Sequence, residues 1–177
     1  MIDLLMKRRS IRKYEDTAIE KDKIDTLVKA VLVSPSASNQ KPWEFVFVTE
    51  KNTLKTLSTA RDKSSAFLKD AALGIVLLGE PDRRDTWIED TTIAGIIAQL
   101  AAHSMGLGSC WVHIRNRMHD DSTTAEQFVR ETLKIPDERS VEAIIAVGYP
   151  DEHKQPHSEE KLEYGRVYTD KYGSRYR

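Results

Sequence analysis

The stretch from Thr86 to Met105, TWIEDTTIAGIIAQLAAHSM, limits the possible folds more than any other part of the chain. At helical period, Ile93, Ile96, Ile97 and Leu100 form one stripe, and Ala94, Ala98, Ala101 and Ala102 make the neighbouring face small. A helix that is apolar nearly all round does not suit a solvated surface. It is either a central buried helix or a seam between subunits. Gly106 and Gly108 stop it.

The rest of the chain interleaves helical and extended patterns around this helix. Glu20 to Val33 puts Ile24, Leu27, Val28, Val31 and Leu32 on one helical face, and Pro35 follows its end. Shorter helices are predicted over Asp3 to Arg9, with Asp3 as cap, and over Asn52 to Arg61. Thr123 with Glu126 reads as a capping box opening a further helix through Leu133, ended by Pro136. Strands are predicted at Glu44–Thr49, Gly74–Leu78, Ser109–Ile114 and Val141–Val147, each rich in β-branched or other apolar residues. Because the interleaving follows no regular βαβ count, the expected class is α+β, one sheet with helices on both faces.

At 177 residues, 40% of them hydrophobic, the chain can bury one sizeable core, so it reads as a single domain. A formal net charge of −1 removes any global pull toward nucleic acid or a membrane surface. No apolar run approaches bilayer length. The single cysteine, Cys110, allows no intramolecular disulfide and fits a reducing compartment. The N-terminus MIDLLMKRRSIRKY carries its basic residues after a short apolar run, the reverse of a secretory signal, so the expected location is cytoplasmic.

Against that near-neutral background, KRRSIRK at Lys7–Lys13 stands out, with five cations and a serine in seven positions. Guanidinium forks suit phosphate oxygens, and a serine hydroxyl can complete the cradle; the plain alternative is a solvated basic face. Nucleic-acid binding is the weaker reading, because no second basic patch recurs. In SPSASNQKPWEFVFV, Ser34–Val48, small polar residues stand beside Pro42 and Trp43 directly before a strand. Asn and Ser offer donors and acceptors that would suit the edge of a heteroaromatic ring, whereas a simple turn with Trp43 as a core plug would look similar. In HSMGLGSCWVHI, His103–Ile114, the GxG lacks the third glycine of a dinucleotide fingerprint and follows a helix, and Cys110 sits inside an apolar strand pattern, as a core residue would. The chain has no HExxH, no GxSxG and no Walker A loop. No protein nucleophile or acid–base pair stands out, so an enzyme of this sequence would rely on a cofactor for its reaction. The tail EYGRVYTDKYGSRYR carries four tyrosines, too many for a free end, and is expected to dock on a surface, such as that of a second subunit.

Taken in order, RRSIRKY at Arg8–Tyr14, SPSASNQKPWEF at Ser34–Phe45, LAAHSMGLGSCWVHI at Leu100–Ile114, AIIAVGYPDE ending at Glu152, and YGRVY at Tyr164–Tyr168 resemble the FMN-dependent nitroreductase family, specifically its small single-domain members. The resemblance implies a mixed β-sheet sandwiched between helices and an intertwined homodimer with FMN at the subunit interface. It also implies a C-terminal segment, 151–177, extended over the partner. Arg8 and Ser10 would hold the FMN phosphate and ribityl chain, with Arg9 following the same pattern and Arg166 arriving from the tail. Arg12 would sit at the N1/O2 edge of the ring. Pro35, Ser36, Ala37 and Asn39 would come from the partner, and Val112 and His113 would pass backbone beside N5. The implied reaction is ping-pong hydride transfer from NAD(P)H to an electron-poor acceptor such as a nitroaromatic or quinone, with a flavin-binding redox sensor or carrier as the alternative. Two departures stand out. Lys41 occupies the position where the family commonly has Gln before Pro-Trp, and the longer central insertion of larger relatives is missing.

Overall fold

The computed structural model describes residues 1–177. Four strands, β1 (Trp43–Val48), β2 (Leu73–Gly79), β3 (Gly108–His113) and β4 (Ser140–Gly148), form one sheet in the order β1-β2-β4-β3. All three pairings are antiparallel; the parallel contribution is a single bridge between Ser10 and Ser109 at the outer edge of β3. Five α-helices accompany them: α1 (Ile2–Lys7), α2 (Lys21–Leu32), α3 (Lys51–Leu57), α4 (Trp87–Ser104) and α5 (Ala125–Leu133).

Side-chain alternation along the central strands separates two cores. Leu73, Ile75 and Leu77 of β2, with Ala143, Ile145 and Val147 of β4, pack against Leu27 and Val31 of α2 and Ala98 and Ala102 of α4. Val76, Leu78, Ile144 and Ala146 face the other way, onto Leu54 and Leu57 of α3 and Val129 of α5. The α+β class with helices on both faces is therefore as expected from the sequence. Between Leu77 and Leu78 the register slips, placing Glu142 at a bulge in β4.

Four local expectations need correction, the first being the helix expected to run to Arg61, which as α3 ends at Leu57. The Asp3 side chain does not cap α1: the N-cap is Met1, and Asp3 lies within the first turn, where its charge complements the exposed N–H groups. The helix also ends at Lys7 rather than Arg9, because Arg8 is already extended at φ −61°, ψ 128°. The cap of α5 is Thr124, whose hydroxyl accepts from the Gln127 N–H at 3.0 Å. Glu126, the expected box partner of Thr123, instead accepts from the Val141 N–H at 2.9 Å and ties α5 to β4.

In α4, the face turned to the sheet is the small one. Ala94, Gly95, Ala98 and Ala102 are buried, which lets the helix axis approach the strands, whereas Ile93 and Ile96 stay more than a third exposed at 37% and 39%. Gly95 is fixed by this approach: a Cβ there would lie 2.6 Å from Leu77 Cδ1 and 2.8 Å from Trp111 Cζ3. No helix is long and apolar enough to cross a membrane.

Candidate functional site

Strand β3 is an edge strand, so alternate residues send their backbone groups away from the sheet. Two of these groups are already engaged: the Ser109 carbonyl accepts from the Ile11 N–H at 3.0 Å, and the His113 carbonyl accepts from Arg61 Nη1 at 3.0 Å. The same period directs the N–H and C=O of Trp111, midway between them, to the free edge. The edge is thus clamped at both ends, by the Lys7–Lys13 arm and by Arg61.

The arm carries an uncompensated positive charge. Lys7, Arg8, Arg9, Arg12 and Lys13 all lack an ion pair with a carboxylate; Arg8 and Arg9 are half-buried, and most other half-buried cations of the chain have one. Glu152, the carboxylate that reaches this arm, accepts from the backbone N–H groups of Arg12 and Lys13 at 2.5 and 3.3 Å and lies 3.4 Å from Lys154 Nζ. Burial pushes the Glu152 carboxyl up, but those donors outweigh it and hold it below the usual range. Its charge is therefore spent on the arm's backbone, leaving the guanidinium groups free. Cations without counter-charges, on an extended segment beside open backbone donors, fit a phosphate-bearing ligand with a ring edge.

Ser10 and Arg12 lie towards the Cys110 side of β3. Ser10 bridges to Ser109, the neighbour of Cys110, and the Arg12 guanidinium stands 5.8 Å from the centre of the Phe67 ring. Burial pushes the Cys110 thiol up against the pull of Arg12, so Cys110 is a buried thiol and not a nucleophile. Arg8 is half-buried and, with Lys7, adds to the burial that lowers His103. Arg9 turns into a cavity instead and donates to the Gln155 carbonyl. The Val112 side chain is core, so what it can offer a ligand is backbone. His113 is partly exposed, 3.6 Å from the buried Glu142 carboxylate, which Arg115 holds at 2.7 Å. Burial lowers His113, with Arg117, Arg115 and Arg61 adding to this against Glu142.

Arg61, just before the 3-10 segment Lys63–Asp70, and Phe67, within it, complete this edge. Sequence reading passed over both; the signal available was a lone arginine and an aromatic in ARDKSSAF, between a helix and a buried strand.

The Pro35–Asn39 loop is elsewhere. Asp90, buried in the first turn of α4, accepts from the Ala37 N–H at 2.8 Å, and Arg84 donates to Ser38 Oγ at 3.2 Å. The loop holds Ser38 at φ +49° and Asn39 at +54°, with Lys41 just beyond it at +50°; these are left-handed positions without glycine, costing on the order of 1–2 kcal/mol each at Ser38 and Lys41 and less at Asn39. Ser36 Oγ accepts from the Lys41 N–H at 2.8 Å and helps to hold it. Trp43 is indeed buried beside it, yet its indole N–H lacks a partner. His103, next to Arg8, lies thirteen positions along α4 from Asp90, or about 20 Å at 1.5 Å per residue. One chain therefore does not bring this loop to the cationic arm. Arg166 is also apart: it pairs with Glu163 at 2.8 Å in an exposed tail whose Tyr168 and Tyr172 rings pack on each other at 4.6 Å.

An edge strand with open backbone donors, a cationic arm beside it and helices on both sheet faces defines an α+β cofactor-binding domain. The chain belongs to the Nitroreductase family, whose sequence profile matches residues 5–61 and 53–149. It is 46% identical to a solved structure described as an FMN-dependent nitroreductase from Clostridium difficile R20291, with a TM-score of 0.95 over 97% of this chain and 100% of that one. A protein of Archaeoglobus fulgidus with the provisional name NADH dehydrogenase/NAD(P)H nitroreductase is 30% identical over 97% of this chain and 98% of its own length. The NADPH-flavin oxidoreductase of Vibrio harveyi is 29% identical over 87% of this chain and 67% of its own length.

Proposed function

We propose that the protein is an FMN-dependent oxidoreductase that passes a hydride from NAD(P)H to an electron-poor acceptor, such as a nitroaromatic or quinone. The observation that carries this reading is the arm of unpaired cations running beside the free edge of β3. FMN, when bound, supplies the two-electron centre that takes the hydride and returns it. The chain's own residues bind and orient. Arg8 and Ser10 hold the phosphate and ribityl chain, and Arg12, over Phe67, stabilises negative charge at the ring's polar edge. The backbone from Trp111 to His113, at the free edge of β3, would line the ring. Donor and acceptor use one face in turn, so no protein acid–base pair is required.

The site is completed by a second copy of the chain. The loop Pro35–Asn39 is built and strained but is held at the N-terminal end of α4, whereas Arg8 of its own arm lies by His103, about 20 Å along that helix, so the loop serves the partner's ring. Ile93 and Ile96 of α4, Leu32 and Val33 at the end of α2, and Leu5 of α1 are exposed and form the apolar face such a dimer needs. In this reading residues 1–177 are one domain, 151–177 crosses to the partner with Leu162, Val167 and the tyrosines, and Arg166 reaches the phosphate there. The protein works in the cytoplasm, where Cys110 stays reduced.

The test is the visible spectrum of the protein with FMN, followed anaerobically by NADH or NADPH. Bound flavin bands that bleach support the reading and name the donor, and bands that persist favour a sensor or carrier. Arg8→Ala should weaken FMN about ten- to a hundredfold, the equivalent of one charged hydrogen bond. Unchanged affinity would remove Arg8 from the phosphate site.

A further inference from the structure

We infer that the cavity between the N-terminal arm and the end of α4 is a separate binding site for a small organic anion, an apolar body carrying a carboxylate or phosphate. The cavity measures about 410 Å³, within the range of small-molecule pockets. Lys7, Arg9 and Lys154 stand round it with His103, while Ile11, Leu107, Pro150 and Pro156 give apolar walls. Arg8, Ser10 and Arg12, which the flavin reading uses, do not line it.

Its charge balance favours an anion. The one carboxylate in its wall, Glu152, is occupied by the backbone N–H groups of Arg12 and Lys13. Lys154 donates to the Ser10 carbonyl at 2.7 Å and pairs with Glu152 at 3.4 Å, so these two charges balance at the cavity wall. Arg9 gives one N–H to the Gln155 carbonyl, which fixes the guanidinium while its other donors remain available. Lys7 has no ion pair at all. His103, half-buried at the same wall, has its pKa lowered by burial and by the positive field of Arg8 and Lys7. Lys7 and Arg9, two cations without a carboxylate partner, over walls of Ile, Leu and Pro, select a ligand with both a negative head and an apolar body.

The inference does not depend on the flavin reading, since the cavity is formed by one chain. It is tested on the full-length protein saturated with FMN, following the imidazole proton signals of His103 by NMR and assigning them by their loss in His103→Gln. Benzoate and phenyl phosphate serve as probes and distinguish the two head groups, with inorganic phosphate alongside. A saturable shift of His103 with either organic probe, weakened about tenfold or more in Arg9→Ala, supports the site. Lys7→Ala, which removes an exposed and unpaired side chain and leaves folding intact, should weaken it severalfold. A shift retained in both variants overturns the inference, as does the absence of any shift. Binding that disappears once FMN is saturating overturns it too, because the cavity would then be part of the flavin site. Inorganic phosphate binding as tightly as phenyl phosphate would refute the apolar body. If FMN itself fails to bind, the same titration on the unloaded protein still reads the cavity.

Discussion

Replacing Gly95 by Ala sets two opposite effects against each other at the junction of α4, the sheet and the candidate site. Helix propensity alone favours Ala over Gly by about 1 kcal/mol in a helix interior. Packing opposes it: the new methyl would meet Leu77 Cδ1 at 2.6 Å and Trp111 Cζ3 at 2.8 Å, one wall on each side. Leu77 is fully buried, and the Trp111 ring stacks on His113 at 6.4 Å between centroids, so neither moves without disturbing a neighbour. Overpacking at such a position costs about 1–3 kcal/mol, and with two contacts under 3 Å the upper part of that range applies. The net expectation is a loss of about 1–2 kcal/mol in urea unfolding at fixed protein concentration. Leu77→Ala alone should cost about 2–5 kcal/mol through the cavity it leaves. Combined with Gly95→Ala it should cost less, because the new methyl fills part of that cavity, and the double-mutant cycle should return a coupling of about 0.5–3 kcal/mol. A Gly95→Ala protein as stable as the parent, with additive behaviour in the cycle, would show that small residues do not set the distance between α4 and the sheet.

Two further predictions concern single groups. Burial, with Cys110 adding to it and Arg12 opposing, holds the Tyr14 phenol far above its ordinary range, and its hydroxyl donates to the Ile11 carbonyl at 2.6 Å. A phenol raised in the folded state contributes stability that is complete below the unfolded value near 10 and is lost as pH rises beyond it. Unfolding free energy should therefore fall above about pH 10 by up to about 1.4 kcal/mol per unit from this group. Tyr14→Phe should flatten that slope while costing about 1 kcal/mol at neutral pH; equal slopes in denaturant titrations from about pH 9 to 11 would count against it. Thr124→Ala should cost about 0.5–2 kcal/mol by removing the cap of α5. Thr123→Ala, which the sequence pattern ranks as the damaging change, should stay within about 0.5 kcal/mol; the reverse order in thermal melts would restore the capping box to Thr123.

Element positions were readable because periodicity survives tertiary context: β2 and β4 were expected within a residue or so at each end, and α2 and α4 likewise. What periodicity cannot say is which apolar face of a helix is inside. In α4 both faces are apolar, and the choice was made by size, since only Ala and Gly allow the close approach that Leu77 and Trp111 require. The Thr123 error has a similar origin. Two adjacent threonines each offer an acceptor, and the geometry of the preceding turn, where Asp120 already takes the Thr123 N–H, decides between them.

The cationic arm shows the same limit at the site itself. A run of basic residues announces anion binding, but an extended segment sends successive side chains in different directions, and the sequence does not say where the alternation starts. Here Arg8 leaves the helix already extended, so Lys7 and Arg9 go to the cavity beside His103 while Ser10 and Arg12 go to the side of Cys110 and Phe67. A reading from composition merges these into one patch. The structure divides them because Ile11 must pack on Gly108, where a Cβ would meet it at 2.8 Å, and that apolar contact sets the rotation of every charge on either side of it. Gly108→Ala would therefore disturb both cationic groups at once, although residue 108 itself carries no charge.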